Sequence, residues 1–134
     1  MKYKIAFICV HNSCRSQMAE AWMNKLGNDI FDVYSAGTEK YNEVKPLALE
    51  VMKNEVDMSL YRPKLVSEIP KEVDVLITMG CNVVCPYIPN KYTEDWGLDD
   101  PSGGSLEDFE KTKKIIRIKV IELIEKIKTN KIKL

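Results

Sequence analysis

Five residues separate Cys9 from Arg15 in the stretch CVHNSCRS, directly after an apolar run. Three chemistries suit two cysteines and an arginine this close together: a metal clamp, a buried structural pair, or a loop that holds an oxyanion against a nucleophilic sulfur. The C-x5-R spacing has a physical logic for the third. A tight loop of this length can turn its backbone N–H groups inward as an anion nest. A following helix adds the positive end of its dipole. The planar fork of Arg15 can grip two oxygens of a tetrahedral anion. The same field favours a thiolate, and cysteines in such surroundings titrate at roughly 3.5–7.5 instead of ~8.5. Val10, His11, Asn12, Ser13, Cys14, Arg15 and Ser16 are the candidate oxyanion-binding residues, with Cys9 as nucleophile.

Displacement at an oxyanion needs an acid for the departing oxygen. GLDDPSGG offers Asp99 and Asp100, and Pro101 restricts Asp100 to an extended conformation. Asp100 is the preferred acid; read alone, the segment is an ordinary Asp-Pro turn. Cys81 and Cys85 are a second pair, in a stretch bounded by glycine and proline. Without a partner site they read as two small buried residues. Beside an oxyanion loop they read as thiols with chemistry to perform.

The surrounding pattern supplies the elements that must position these groups. YKIAFICV is a continuous apolar run, as expected of a strand covered on both faces. From Ser16 the period changes: Met18, Ala19, Trp22, Met23 and Leu26 recur at helical spacing, and Gly27 is a natural stop. Trp22 and Met23 read as core. IFDVYSAG predicts a second strand, Pro46 opens a short helix, and VDVLITM predicts a third strand over Val73 to Met79. Residues 80–104 read as a long functional loop, with a short fourth strand around Thr93 to Leu98. Ser105 and Asp108 form a capping box that starts a long last helix through Phe109, Ile116, Val120, Leu123 and Ile127. Its basic face, Lys113, Lys114, Arg117 and Lys119, reads as solvated, and KTNKIKL as a frayed helix end. Strands alternating with helices predict an α/β fold with a parallel sheet, which binds ligands at the carboxyl ends of its strands. Cys9 and Cys81 each follow a predicted strand end, so they are expected to face one crevice.

The chain has 134 residues, the size of one domain, and 1–134 is read as a single one. Its 20 basic and 20 acidic residues balance, which gives no electrostatic footprint for nucleic acid. The apolar start is too short for a secretion signal and no segment approaches a membrane span. A cytoplasmic protein with reduced, working thiols is expected, without nucleic-acid or membrane partners.

Several segments together resemble the low-molecular-weight tyrosine phosphatase superfamily, and more closely its thioredoxin-coupled arsenate reductase branch. They are NSCRSQMAE at Asn12 to Glu20, SAGT at Ser35 to Thr38, DVLITMGC at Asp74 to Cys81, and EDWGLDDPSG at Glu94 to Gly103. The resemblance implies a single domain with a four-stranded parallel sheet flanked by helices. It implies arsenate as substrate, with phosphate or sulfate competing, and a relay in which Cys9 attacks arsenic, Cys81 attacks Cys9, and Cys85 attacks Cys81. Arg15 holds the oxyanion and Asp100 helps an oxygen leave as water. A thioredoxin-like dithiol protein then reduces the Cys81–Cys85 pair, with no tightly bound cofactor or metal and a monomeric chain. Ser16 is expected to hydrogen-bond the Cys9 thiolate and Asn12 to hold the loop's shape, while Cys14 is a structural bystander or spare thiol.

Three departures from the family pattern bear on this reading. His11, the only histidine, stands where the family usually has glycine, a position that can require a left-handed backbone; it is read as a loop-structural or exposed residue and not as the catalytic base. Only three residues separate Cys81 from Cys85, where the better-known reductases have six. Ser102 and Gly103 follow Pro101 in place of the aromatic pair that frames a phosphotyrosine ring, which favours a small inorganic substrate. The competing readings are a tyrosine phosphatase whose later cysteines serve only redox protection, and a non-enzymatic thiol protein that captures a soft metal or arsenite.

Overall fold

The computed structural model describes residues 2–12, 14–80 and 88–134. Four strands form one sheet: β1 (Tyr3–Cys9), β2 (Phe31–Gly37), β3 (Val75–Thr78) and β4 (Tyr92–Asp95). Their order is β2-β1-β3-β4 and every pairing is parallel. β1 has neighbours on both sides, and this explains its unbroken apolar run: Ile5 through Cys9 are all buried. The chain leaves β1 for β2 on one side and later returns to β3 on the other. The carboxyl end of β1 is therefore a topological switch point, where parallel sheets open a crevice.

Among the described residues, α1 (Arg15–Leu26) connects β1 to β2, α2 (Pro46–Met52) lies between β2 and β3, and α3 (Leu106–Lys128) follows β4. All three contribute to one core with Ile5, Phe7, Cys9, Val75 and Ile77. On the opposite face Ala6, Ile8, Ala36 and Leu76 meet Ile69, Val73 and Ile88. Alternation along β1 thus sends Cys9 to the helical face. Trp22 and Met23 are core residues as expected, and each such side chain contributes roughly 1.5–3 kcal/mol by leaving water.

Boundaries differ from expectation for identifiable reasons. β3 is shorter than Val73 to Met79, because Gly80 bends away at φ 86. β4 lies three residues earlier than expected at its end, since Gly97 turns the chain at φ 57. Gly27 ends α1 without a left-handed conformation; what it supplies is space, since a Cβ there would sit 2.6 Å from the Met23 sulfur. Ser105 and Asp108 cap α3 reciprocally, with Asp108 N–H to Ser105 Oγ at 3.4 Å and Ser105 N–H to Asp108 Oδ2 at 3.0 Å. The C-terminal segment is not a frayed end. Asn130 takes a left-handed conformation at φ 59, Lys131 N–H returns to Lys126 O, and Ile132 is carried back into the main core.

Candidate active site

Cys9 ends β1 and α1 begins at Arg15, so the intervening loop spans the switch point between strand and helix. Cys14 occupies the cap position of α1 and makes no side-chain cap. The first N–H groups of that helix therefore keep their affinity for an anion. The loop rests on Gly37, the register partner of Cys9. A Cβ on Gly37 would lie 2.6 Å from Val10 O, 2.8 Å from His11 C and 2.9 Å from Asn12 N. Gly37 of SAGT leaves room for the backbone of residues 10–12 to pass over it, a constraint that the sequence motif alone does not reveal.

The Cys9 sulfur is buried and surrounded by donors. The Asn12 N–H points at it from 3.1 Å and Ser16 Oγ lies 2.8 Å away. Asn12 Nδ2 in turn donates to Ser16 Oγ at 2.7 Å. Asn12, and not His11, carries the left-handed backbone, at φ 55. The expectation at His11 is corrected by one residue: asparagine tolerates this conformation well, and placing it here turns the Asn12 N–H onto the sulfur. His11 sits at the rim, where Nε2 meets Glu39 Oε2 at 3.1 Å and its ring packs on Tyr41 with centroids 5.0 Å apart.

Arg15 is nearly buried and oriented by backbone. Its Nη1 donates to Met79 O at the end of β3 and to Leu98 O, the latter at 2.8 Å. Nη2 lies 3.9 Å from Asp100 Oδ2. Nε is buried with no hydrogen-bond partner among the described residues. One side of the guanidinium is thus anchored, while Nε and Nη2 leave the bidentate edge for a ligand, as a planar oxyanion clamp requires.

Asp100 stands across from the loop. Its Oδ1 accepts from Ser102 N–H at 3.0 Å and from the Cys14 thiol at 3.4 Å. Burial alone pushes this carboxyl up. The Ser102 backbone and hydroxyl bonds, the Arg15 charge and the Cys14 thiol outweigh it, so the net direction is downward. Burial, partly opposed by the Ser102 hydroxyl, pushes the Cys14 thiol up to about 11. Cys14 is therefore a protonated donor to Asp100, a connection between loop and acid that sequence reasoning missed. Ser102, noted in the sequence only for lacking a ring, is the second contact that was missed. An open groove of about 470 Å³ runs between residues 98–104 and Asp108, Lys111, Thr112 and Ile115. Asp100 borders it but Cys9 does not.

The structure brings Cys9, Val10, His11, Asn12, Cys14, Arg15, Ser16 and Asp100 to one end of the sheet. Ser13, Cys81 and Cys85 lie outside the described residues, as does the expectation that Cys81 faces Cys9. Gly80, the residue before Cys81, leaves the carboxyl end of β3, the strand paired with β1. Gln17, absent from the sequence-based candidates, is fully buried and donates to Asn12 Oδ1 at 2.8 Å.

Comparison with known proteins follows this geometry closely. The sequence profile of the low molecular weight phosphotyrosine protein phosphatase family matches residues 4–133. The chain belongs to that family. It is 40% identical over 124 residues to arsenate reductase 2 of Staphylococcus saprophyticus, covering 89% of this chain and 94% of the relative. A solved arsenate reductase in a phosphate-binding state superposes with a TM-score of 0.85 at 37% identity, covering 95% of this chain and 99% of that one. The thioredoxin-dependent arsenate reductase of Corynebacterium glutamicum superposes with a TM-score of 0.78 at 31% identity, covering 96% of this chain and 63% of that one. The expected four-stranded parallel sheet and family are both borne out.

Proposed function

We propose that this protein is an arsenate reductase that turns arsenate into arsenite through a thiol relay. The observation that carries the reading is the Cys9 sulfur, with donors from Asn12 and Ser16, at the same end of the sheet as an arginine whose Nε has no partner among the described residues. The likeness to arsenate reductases over nearly the whole chain selects reduction over hydrolysis. Cys81 and Cys85 supply the thiols that reduction requires.

Arsenate enters with its oxygens on the loop N–H groups and the free edge of Arg15. The Cys9 thiolate attacks arsenic; a sulfur–arsenic bond forms and one oxygen leaves as water. Asp100 delivers the proton. Its carboxyl is held low in the resting site, so it must gain that proton as the anion arrives. A negative oxyanion beside Arg15 offsets the charge that lowers Asp100 and drives that gain. Cys81 then attacks the Cys9 sulfur. The electron pair of the sulfur–arsenic bond passes to arsenic, which leaves as arsenite, and Cys9–Cys81 forms. Cys85 displaces Cys9 and produces Cys81–Cys85, which a thioredoxin-like dithiol protein reduces. Electrons come from thiols throughout, and no tightly bound cofactor or metal takes part.

We assign the chain to the cytoplasm, where dithiol reductants are maintained, and read 1–134 as one monomeric domain. No helix among the described residues is long and apolar enough to cross a membrane. The test is arsenate-dependent NADPH oxidation with thioredoxin and its reductase, comparing the unaltered chain with Cys9→Ser, Cys81→Ser and Cys85→Ser. Multiple turnovers lost in all three variants are expected. Absence of arsenate turnover, with aryl-phosphate hydrolysis intact in Cys81→Ser and Cys85→Ser, would assign a phosphatase instead. Stoichiometric metal in protein purified without added zinc, with no turnover of either substrate, would assign a thiol-binding protein.

A further inference from the structure

Asn12 is the hub behind the Cys9 sulfur, and its side-chain amide has only one workable orientation. The Lys64 backbone N–H, which can only donate, lies 2.9 Å from Oδ1. Nδ2 must therefore be the atom that faces Ser16 Oγ. Gln17 is fixed in the same manner. Its Nε2 lies 2.8 Å from the Arg62 carbonyl oxygen, which can only accept, and 2.8 Å from Asn12 Oδ1. Both hydrogens of Nε2 are thus committed. Oε1 of Gln17 is left buried with no partner among the described residues. The fold tolerates an orphaned acceptor here, and buried polar atoms are seldom left so without a reason. Turning either amide over would oppose donor to donor or acceptor to acceptor.

The resulting chain has one direction. Gln17 Nε2–H donates to Asn12 Oδ1, Asn12 Nδ2–H donates to Ser16 Oγ, and the Ser16 hydrogen is left to point at the Cys9 sulfur. Linked bonds of this kind polarise one another in a buried setting, and donors on a sulfur favour its charged form. We infer that Gln17 is a positioning residue for the Cys9 reaction. The Lys64 N–H sets the direction of the Asn12–Ser16 relay, and Gln17, held by the Arg62 carbonyl, adds the second donor on Asn12 Oδ1 that polarises the relay toward the sulfur. The segment of Arg62 and Lys64 immediately precedes the isolated bridge between Gly37 and Leu65, which ties it to the end of β2. Gln17 itself does not titrate and touches neither the sulfur nor solvent.

Other titratable groups lie around the loop and are unaffected by exchanging one neutral side chain for another. Arg15 and the protonated Cys14 lie at the start of α1, and Asp100 meets both from residues 98–104. Lys64 and Glu20 form an ion pair of 3.4 Å behind the loop, and His11 with Glu39 lies at the rim.

The inference rests on Cys9 being the reactive sulfur and not on arsenate being the substrate. The test therefore uses iodoacetamide on the full-length chain, with fragment-ion mass spectrometry assigning the label to Cys9. In Gln17→Met, which keeps length but cannot donate, the Cys9 alkylation rate at pH 7 should fall about fivefold to tenfold, the loss expected of one buried hydrogen bond. The rate–pH profile should move to higher pH. Gln17→Glu should fall further, because its carboxylate opposes Asn12 Oδ1. An unchanged profile in folded Gln17→Met overturns the inference. A measurement on the unaltered chain guards against variants that fail to fold: the side-chain amide signals of Asn12 and Gln17 should titrate together with Cys9 alkylation. Amide signals that stay fixed across that range refute the relay. A working relay in a protein that does not reduce arsenate would leave this inference standing and remove the reductase reading.

Discussion

Replacing Arg15 with lysine separates anchoring from oxyanion binding, since the charge is kept and the fork is lost. Arg15 Nη1 now serves two carbonyls, Met79 O and Leu98 O, while Nε is buried without a partner among the described residues and Nη2 lies 3.9 Å from Asp100 Oδ2. A lysine ammonium can hold one of those carbonyls or reach the ligand, but its flexible stem cannot reproduce both sets of contacts. Losing one charge-assisted hydrogen bond to a carbonyl costs about 1.5–3 kcal/mol of stability. That corresponds to a lowering of the unfolding midpoint by several degrees for a chain of this size. The effect on reaction should be larger in proportion. Removing one preorganised donor from developing oxyanion charge costs roughly 10²–10³ in rate. Steady-state arsenate reduction and thermal unfolding, measured on the same preparation of Arg15→Lys, give both numbers. Turnover within about threefold of the unaltered chain, with the midpoint lowered, would mean that Arg15 is a structural clamp between β3 and residues 98–104. The oxyanion would then be held by backbone alone.

Gly37→Ala should displace the loop, because its Cβ meets three backbone atoms within 2.9 Å. A loss of about 1–3 kcal/mol in chemical unfolding is expected, with a disproportionate fall in Cys9 alkylation as the Asn12 N–H moves off the sulfur. Cys14, held up to about 11 by burial, should resist iodoacetamide at pH 8 in the native chain, and mass spectrometry should find label on Cys9 and none on Cys14. Because the folded Cys14 value lies above the ordinary thiol value of 9.0, its contribution to stability is complete below about 9. It is lost as pH rises toward 11, so unfolding midpoints of the native chain and Cys14→Ala should converge there. Asp100 has the opposite sign. Its depressed carboxyl stabilises the fold above the ordinary aspartate value of about 3.9 and stops doing so as pH falls below it. The midpoint difference between the native chain and Asp100→Asn should therefore shrink on acidification; a difference independent of pH would deny Asp100 its charged partners.

Much of this architecture was legible because local and global signals agreed. The apolar run of β1, the helical period from Met18 to Leu26 and the capping box at Ser105 each name their element without tertiary information. So does C-x5-R between strand and helix. What escaped notice shares a different character. Gln17 reads as a surface-compatible residue in a helix, and only the fold brings Arg62 and Lys64 to meet it. The Cys14 contact with Asp100 spans 86 positions, beyond any periodicity. His11 drew the expectation of a left-handed backbone because a family glycine was absent there, yet the loop puts that strain on Asn12. The basic C-terminal segment looked solvated by composition, while a single left-handed Asn130 returns Ile132 to the core. In each case the decisive partner is backbone or a distant side chain, and neither leaves a spacing in the sequence.

The loop by itself does not distinguish a phosphatase from a reductase. Read as an oxyanion site, its N–H groups, the Arg15 edge and the Asp100 carboxyl would address a tetrahedral anion by charge and oxygen geometry, and phosphate and arsenate are nearly alike in both. The difference enters after the thiol has bonded to the central atom. Water attacking that atom releases the original oxyanion and regenerates the thiolate. A second thiol attacking the sulfur instead sends a bonding electron pair to the central atom. Arsenic(V) accepts that pair and departs as arsenic(III); phosphorus(V) has no comparably accessible lower state for a thiol to reach. On that reading phosphate is expected to bind without being reduced; a related arsenate reductase has been solved in a phosphate-binding state. Under the reductase reading, specificity lies in the redox chemistry of the bound atom and in the thiol that meets Cys9. The oxyanion loop was free to remain that of the phosphatase family while the reaction it begins acquired a different end.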